Sequence, residues 1–496
     1  MFPILSPFQN EWITFLAFLA GIFFLIGLSE IARSKLKWTP EASRKFVHVL
    51  VGVLVMFSPF LFVSNLPPIV LAAIFIVVNA VALKSKKFEG MHATDRVSYG
   101  TVYFPAAYLL LCLFWWEQPV VFEISLLLMT FADTAAAVAG GRAKSPESYT
   151  VWRDTKTVQG SVVMFIVSIL LIGLGTRVFQ GLAHVPPIDL KILLPLSLFV
   201  AALVTVAEAT SSAGSDNVTI PIVAAVGYDL FLTTAQNGET VILLLWILVS
   251  FAIAIGAMKL DAVSTNGALG AFFMGLFVFG IGGWKFTIPI VVFFVLSSLL
   301  SKMGQRRKKA LKAVITNGSR RDIVQVFANG GIPMLLAVWW FYQPSQWLYA
   351  GYLASVAAAT ADTWETEIGF FSKWAPRNSV TLAKMESGAS GGITLLGTLG
   401  GLLGSTVIAA VAYPFLPDPA ILKWVIIAGL VGSFIDSFLG ATVQGLYQCD
   451  ECGMTTETAS HCNGPISLIR GTGYISNDVV NLLCTLSGGA IVLLMI

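Results

Sequence analysis

Carboxylates and lysines recur at matched spacings in two stretches of this 496-residue sequence. Asp133 lies in ADTAAAVAGGRAK, which is followed by KTVQGS, and Asp362 lies in ADTWETEIGFFSK, which is followed by KMESGAS. Seven residues separate Asp133 from Gly140 and Asp362 from Gly369; eleven separate Asp133 from Lys144 and Asp362 from Lys373. The next lysines, Lys156 and Lys384, come 23 and 22 residues after the aspartates, each four before a glycine. A later acid follows at 75 and 74 residues, as Glu208 and Asp436. These are the parts of a site for a magnesium-bound nucleotide. Magnesium takes one or two carboxylates plus phosphate oxygens and water, which suits Asp133 with Glu208 or Asp216, and Asp362 with Glu367 or Asp436. Lysines supply point charge to phosphates. Turns such as KTVQGS (Thr157, Gly160, Ser161) and SGASGG (Gly388, Ser390, Gly391, Gly392) let backbone N–H groups approach them. Phosphoryl transfer asks mainly for positioning and charge neutralisation, so such a set needs no covalent nucleophile. Taken singly, an Asp or Lys at a helix end is as readily a cap or a snorkelling anchor.

Three further groups carry chemistry. RKFVHV places Arg44, Lys45 and His48 at the start of a helix, with Arg44 and His48 on one face, so His48 could be a base or a phosphate contact. RRDIVQVFANGG offers Arg321 and Asn329 in a similar role, at a different spacing. CDECGMTTETASHC supplies Cys449, Cys452, His461 and Cys462, which could close a tetrahedral zinc site. Adjacent His461 and Cys462 do not easily ligate one ion together, and a reduced thiol loop is the alternative.

The elements that must position these residues are membrane helices. The chain is 56% hydrophobic and 11% charged, against roughly 25% charged in a soluble domain, which excludes a water-soluble protein. Apolar runs long enough to cross a bilayer recur along it, and within lipid such runs must be helical. The expected fold is all-α and polytopic, with about 14–16 transmembrane helices in two related halves, 1–238 and 239–496. The spans include separate ones at about 265–283 and 286–301. Lysines and arginines gather in alternate loops, among them Arg33 to Lys45, Lys84 to Arg96, Arg142 to Lys156 and Lys302 to Arg321. That bias marks the cytoplasmic side, so the sites are expected to face the cytosol from a bacterial cytoplasmic membrane. A net charge of +3, spread among loops, gives no nucleic-acid surface.

The first half resembles the phytol kinase and dolichol kinase family through RKFVH, the ADT helix, WRDTKTVQGS and EATSSAGSDNVTIP. The second half resembles the membrane family that includes plant phytyl-phosphate kinase. LDAVSTNGALGAFFMG, QVFANGG, ADTWETEIGFFSKWAPR, SGASGGITLLGTLGG and GSFIDSFLGATVQ carry that likeness. The resemblance implies two consecutive phosphorylations of one isoprenoid alcohol, to its monophosphate and then its diphosphate. CTP or another nucleoside triphosphate is the implied donor, with magnesium, and membrane lipid is the setting. Glu365 departs from the second family's DTW motif, where a small residue is expected. Two rivals remain: a secondary transporter, since repeats and intramembrane carboxylates also describe carriers, and a CDP-lipid synthase. The cytidylyltransferase signature is missing around Lys156, which argues against the second.

Overall fold

Hydrocarbon offers no partner to a backbone N–H or C=O, so each span must satisfy its own ladder, and 74% of the residues that the structure describes are helical. The computed structural model describes residues 2–6, 8–85, 98–310, 320–416, 418–458, 462 and 465–495. Lys86, Lys87, Arg96, Lys312 and His461 lie outside them. Among the described residues, thirteen helices are long and apolar enough to cross a membrane. The chain is an all-α, multi-pass membrane protein, and it divides into two units, Met1–Thr240 and Val241–Ile496.

The first unit runs α1 (Glu11–Leu36), α2 (Pro40–Met56), a single-turn α3 (Ser58–Leu61), α4 (Leu66–Ser85) and α5 (Gly100–Phe114). Next, α6 (Pro119–Leu127) passes through a π turn, Leu128–Ala132, into α7 (Asp133–Arg142). A hairpin of β1 (Ser148–Thr150) antiparallel to β2 (Thr155–Thr157) leads to α8 (Val158–Leu182), α9 (Leu190–Thr210) and α10 (Asp216–Gln236). Local chemistry sets these starts. Thr39 caps α2 ahead of Pro40, whose missing N–H costs nothing in a first turn.

The second unit runs α11 (Thr240–Lys259), α12 (Thr265–Ala310), α13 (Ile323–Tyr342) and α14 (Gln346–Gly369). Strands β3 (Arg377–Asn378) and β4 (Gly392–Ile393) pair, and α15 (Leu395–Ala412) and α16 (Ile421–Thr442) follow. A sheet ordered β6–β5–β7, from β5 (Leu446–Cys449), β6 (Thr455–Thr456) and β7 (Ile466–Arg470), precedes α17 (Asn477–Met495). The two spans expected at 265–283 and 286–301 are two helical segments of α12 that meet without a loop at Gly283, where the backbone leaves the helical region. Its φ of 55° is one that a side chain resists. Helix α14 is walled in by α12, α13, α15, α16 and α17 and is almost continuously buried from Leu348 to Ala361.

A shared local architecture relates the units, and it alters the register expected from sequence. In each, the aspartate helix is followed by a hairpin and then a threonine-capped helix. Gly160 N–H donates to Thr157 Oγ1 (3.2 Å), and Gly397 N–H donates to Thr394 Oγ1 (3.0 Å). A Cβ on Gly160 would lie 3.1 Å from the Ala136 carbonyl, and one on Gly397 would lie 2.7 Å from the Glu365 carbonyl. Ala136 and Glu365 each stand three residues past the aspartate. The counterpart of Lys156, directly before the cap, is therefore Ile393 and not Lys384. The loop between β3 and β4, residues 379–391, is longer than that between β1 and β2, residues 151–154, and displaces the lysine.

Further along α15, Gly400, Gly401 and Gly404 continue the contact, meeting the carbonyls of Trp364, Ala361 and Thr360. Small residues let helix backbones close in this way inside a membrane. Gly397→Val forces α15 off α14 and should cost about 1–3 kcal/mol, the usual range for overpacking. Melting of the detergent-solubilised protein checks this, with exposed Leu399→Ala expected to leave it unchanged.

Candidate active site

The π turn before Asp133 is a widened helical turn of the kind often found at functional sites. Within it the Met129 carbonyl accepts a hydrogen bond from His48 Nε2 at 3.0 Å. A carbonyl cannot donate, so Nε2 carries the proton and Nδ1 is the basic nitrogen of the neutral ring. Helix α2 thus sets His48 beside the start of α7. Arg44, one turn back, donates to Ser98 Oγ at 3.4 Å.

The hairpin delivers Lys156 to two other elements. Its Nζ lies 2.7 Å from Glu208 Oε1 on α9 and 3.4 Å from Asp216 Oδ2 at the start of α10. Asp154, from the same hairpin, accepts from the Ala213 N–H (2.9 Å) and ties down the loop between those helices. In that loop Gly214 has a φ of 87°, and a Cβ there would lie 2.6 Å from Gly100 N. Asp133 interacts electrostatically with Asp216, Lys156, Glu208 and Arg44. Burial opposes the Lys156 charge, but Asp216 and Glu208 outweigh it and hold the lysine above its ordinary pKa.

These groups line one cavity of about 1350 Å³. Arg44, Lys45, His48, Asp133, Lys156, Thr157, Gly160, Glu208, Asp216 and Asn217 surround its polar end. From there an apolar slot continues between α1, α2, α4 and α5, past Ile26, Phe23, Val51, Phe104 and Leu71 to Val55 and Tyr108. Arg44 and Val55 are eleven residues apart on α2, so the slot runs about 16 Å at 1.5 Å per residue. Of the residues expected here, Lys144 and Ser161 are not brought in. α7 ends at Arg142 and the chain turns outward, leaving Lys144 exposed, while the Ser161 hydroxyl sits 2.5 Å from the Tyr149 phenol.

The second unit gathers a different set. Asp362 on α14 hydrogen-bonds Asp436 on α16. Glu365 joins them electrostatically and accepts from Ser433 Oγ (2.5 Å) and Thr398 Oγ1 (3.2 Å). Glu367, expected beside Asp362, accepts from Ser301 Oγ (2.7 Å) and faces Arg321. Three residues on a helix stay on one face; five do not. Arg321 stacks over Phe293 and Phe294 at 5.4 and 5.7 Å, and Asn329 donates to the Gln325 carbonyl (3.0 Å).

Lys373, Lys384 and Gly388 are exposed, and SGASGG does not open a helix, because α15 begins later, after Thr394. Its residues pack backbone instead. Gly391 has a φ of 84° and abuts the Ala441 backbone, Gly392 pairs with Asn378, and Ser390 Oγ donates to Glu457. Glu457 also interacts with Asp436, and burial raises its pKa above the ordinary value.

Glu208 Oε2 and Asp436 Oδ2 are carboxylate oxygens that lie buried without a donor among the described residues. A cation suits both, since each is a hard oxygen beside further carboxylates. Asp154, Ser98 and Glu457 were not anticipated from sequence. Asp154 stands in the WRDTKTVQGS stretch and Glu457 in the cysteine-rich one, so proximity to flagged residues was the only signal.

Fold and site together define a multi-pass helical membrane protein with buried acidic clusters, one of them opening into a polar-to-apolar cavity. The chain belongs to the family described as integral membrane protein DUF92, whose model matches residues 248–489. An uncharacterized membrane protein of Methanocaldococcus jannaschii is 32% identical over 254 residues, 51% of this chain and 94% of that one. A probable chloroplastic phytol kinase of Zea mays is 28% identical, covering 41% of this chain and 71% of its own. The chloroplastic protein VTE6 of Arabidopsis thaliana is 24% identical, covering 48% and 66%. No solved structure matches the chain.

Lys156 gives a stability prediction. Its native pKa lies above the unfolded value, so its contribution is full below the ordinary lysine range, about 10.4. It is lost as pH rises through the native value. Lys156→Met leaves two carboxylates unmatched and should cost about 3–5 kcal/mol at neutral pH. Melting curves from pH 6 to 11 should show the wild type losing stability only at the alkaline end. The variant should start lower and lose that alkaline step.

Proposed function

We propose that this protein is an isoprenoid lipid kinase that phosphorylates an isoprenoid alcohol in its first unit and the resulting monophosphate in its second. The observation that carries the reading is the cavity of the first unit, where charged groups suited to phosphates sit at the head of an apolar slot about 16 Å long. A phosphate donor and a lipid alcohol meet in such a space with no rearrangement of either. The phytol kinase names of relatives at 28% identity support the same class.

In the first unit the alcohol oxygen bonds to the terminal phosphorus of the nucleotide. The bond from that phosphorus to the bridging oxygen breaks, and the nucleoside diphosphate leaves. His48, fixed by the Met129 carbonyl, takes the alcohol proton at Nδ1. Arg44 and Lys156 place charge against the phosphates, and the Thr157-capped start of α8 lines the same space. Magnesium would be held by Asp133, Asp216 and Glu208 in the first unit and by Asp362 and Asp436 in the second, neutralising charge on the phosphates. In the second unit a phosphate oxygen is the nucleophile and needs no base. CTP is the donor we favour, with both sites facing the cytosol.

Membranes carrying the protein, given phytol, magnesium and CTP labelled on the terminal phosphate, should form phytyl monophosphate and diphosphate. Asp133→Asn should lower the first product at least about 100-fold. Asp362→Asn should let monophosphate accumulate, and an unchanged product ratio would remove the two-site assignment. Release of pyrophosphate with cytidine retained on the lipid would make the protein a CDP-lipid synthase. Nucleotide turnover independent of any alcohol would count against a kinase.

The slot also sets a length limit. Val51 faces it one turn below His48. Val51→Phe should reduce turnover of a twenty-carbon alcohol about tenfold while sparing a ten-carbon one. Comparing kcat/KM for the two alcohols measures it.

A further inference from the structure

Outside both acidic clusters, the sheet of the second unit brings three cysteines together. Cys449 ends β5 and is fully buried, Cys452 follows in the turn, and Cys462 comes from beyond β6. Their Sγ atoms all lie within 4.8 Å of one another. Three thiolates around a tetrahedral zinc, each at 2.3 Å, stand about 3.8 Å apart, so the set needs only a small contraction.

The turn is built for this. It reads Cys-Asp-Glu-Cys-Gly, and Gly453 takes a φ of 70°. Gly453 N–H donates to the Cys449 carbonyl, and Cys449 N–H donates to the Met454 carbonyl, both at 2.9 Å. The two bonds fold the segment back so that thiols three residues apart face the same point. Cys462, at a φ of 51°, closes on that point from the other side. A disulfide would use two of the three and gain nothing from the third.

We propose that Cys449, Cys452 and Cys462 bind one structural zinc ion as thiolates, with a fourth ligand completing the tetrahedron. The ion fastens the turn to the far end of the loop. That loop carries Glu457, which accepts from Ser390, itself bonded by Gln444 Nε2 at 3.2 Å. Zinc thereby holds Glu457 against the segment beside Asp436. The β-strands are short and lie outside the helix core, so a metal staple suits them better than apolar packing does.

The test is metal analysis of the full-length protein, purified in detergent without chelators or immobilised-metal resin. About one equivalent of zinc per chain is expected, with Cys452→Ser and Cys462→Ser each reducing it to a small fraction and Cys112→Ala leaving it intact. In the wild type, thiol alkylation at the three cysteines should be slow until a chelator is added. Immediate alkylation of all three, a disulfide between two of them, or iron in place of zinc would each overturn the assignment. Should the serine variants fail to fold, the chelator-dependent alkylation of wild-type protein still decides it.

Discussion

In each unit a threonine-capped helix start presses against the backbone of the helix that carries the aspartate, and only glycine allows the approach. Gly160 meets the Ala136 carbonyl and Gly397 meets that of Glu365. The contact fixes more than packing. Because the cap threonine also stands over Gly140 or Gly369 at the far end of the aspartate helix, the hairpin before it has one available path. That path decides which side chain reaches the acids. In the first unit it delivers Lys156; in the second, Ile393 occupies the same place.

From that difference the two sites part chemically. Lys156 joins the hairpin, α9 and α10 through Glu208 and Asp216. A charge buried among hydrocarbon helices is costly unless matched, so the lysine and its two acids hold three segments in one arrangement. In the second unit Glu365 has hydroxyl donors instead, from Ser433 and Thr398, while Asp362 and Asp436 hydrogen-bond each other. Hydroxyls orient a carboxylate without cancelling its charge.

Much of this was legible in the sequence. Helices are dictated by apolar runs in a solvent without hydrogen-bond partners, so their number and order could be read directly. The expected break between the spans at 265–283 and 286–301 falls at Gly283, where the backbone leaves the helical region. The first site was legible as well, since Arg44, His48, Asp133, Lys156, Glu208 and Asp216 all meet at one cavity. The second was not. Lys384 matched Lys156 by spacing, yet a longer hairpin loop carries it to the surface. Glu367 and Glu365 differ by two positions, and only helical phase separates the one that faces Asp362 from the one that faces Ser301. Glu457 reaches its place through a loop whose path no periodicity records.

The asymmetry bears on the order of the two proposed reactions. An alcohol is uncharged, so the first unit must manage the charge of the nucleotide alone, and Arg44 and Lys156 already stand near its carboxylates. A lipid monophosphate brings its own negative charge to the second, where the corresponding position holds isoleucine and Asp362, Asp436, Glu365 and Glu457 face one another. On the proposed reading the second unit must rely on bound cations rather than on lysine to bring two anionic substrates together. Glu365, held by hydroxyls rather than by an ion pair, and Asp436, whose Oδ2 has no donor among the described residues, keep oxygens available for that purpose. The residue before the cap thus sets whether charge balance in a unit is built into the chain or arrives with the substrates.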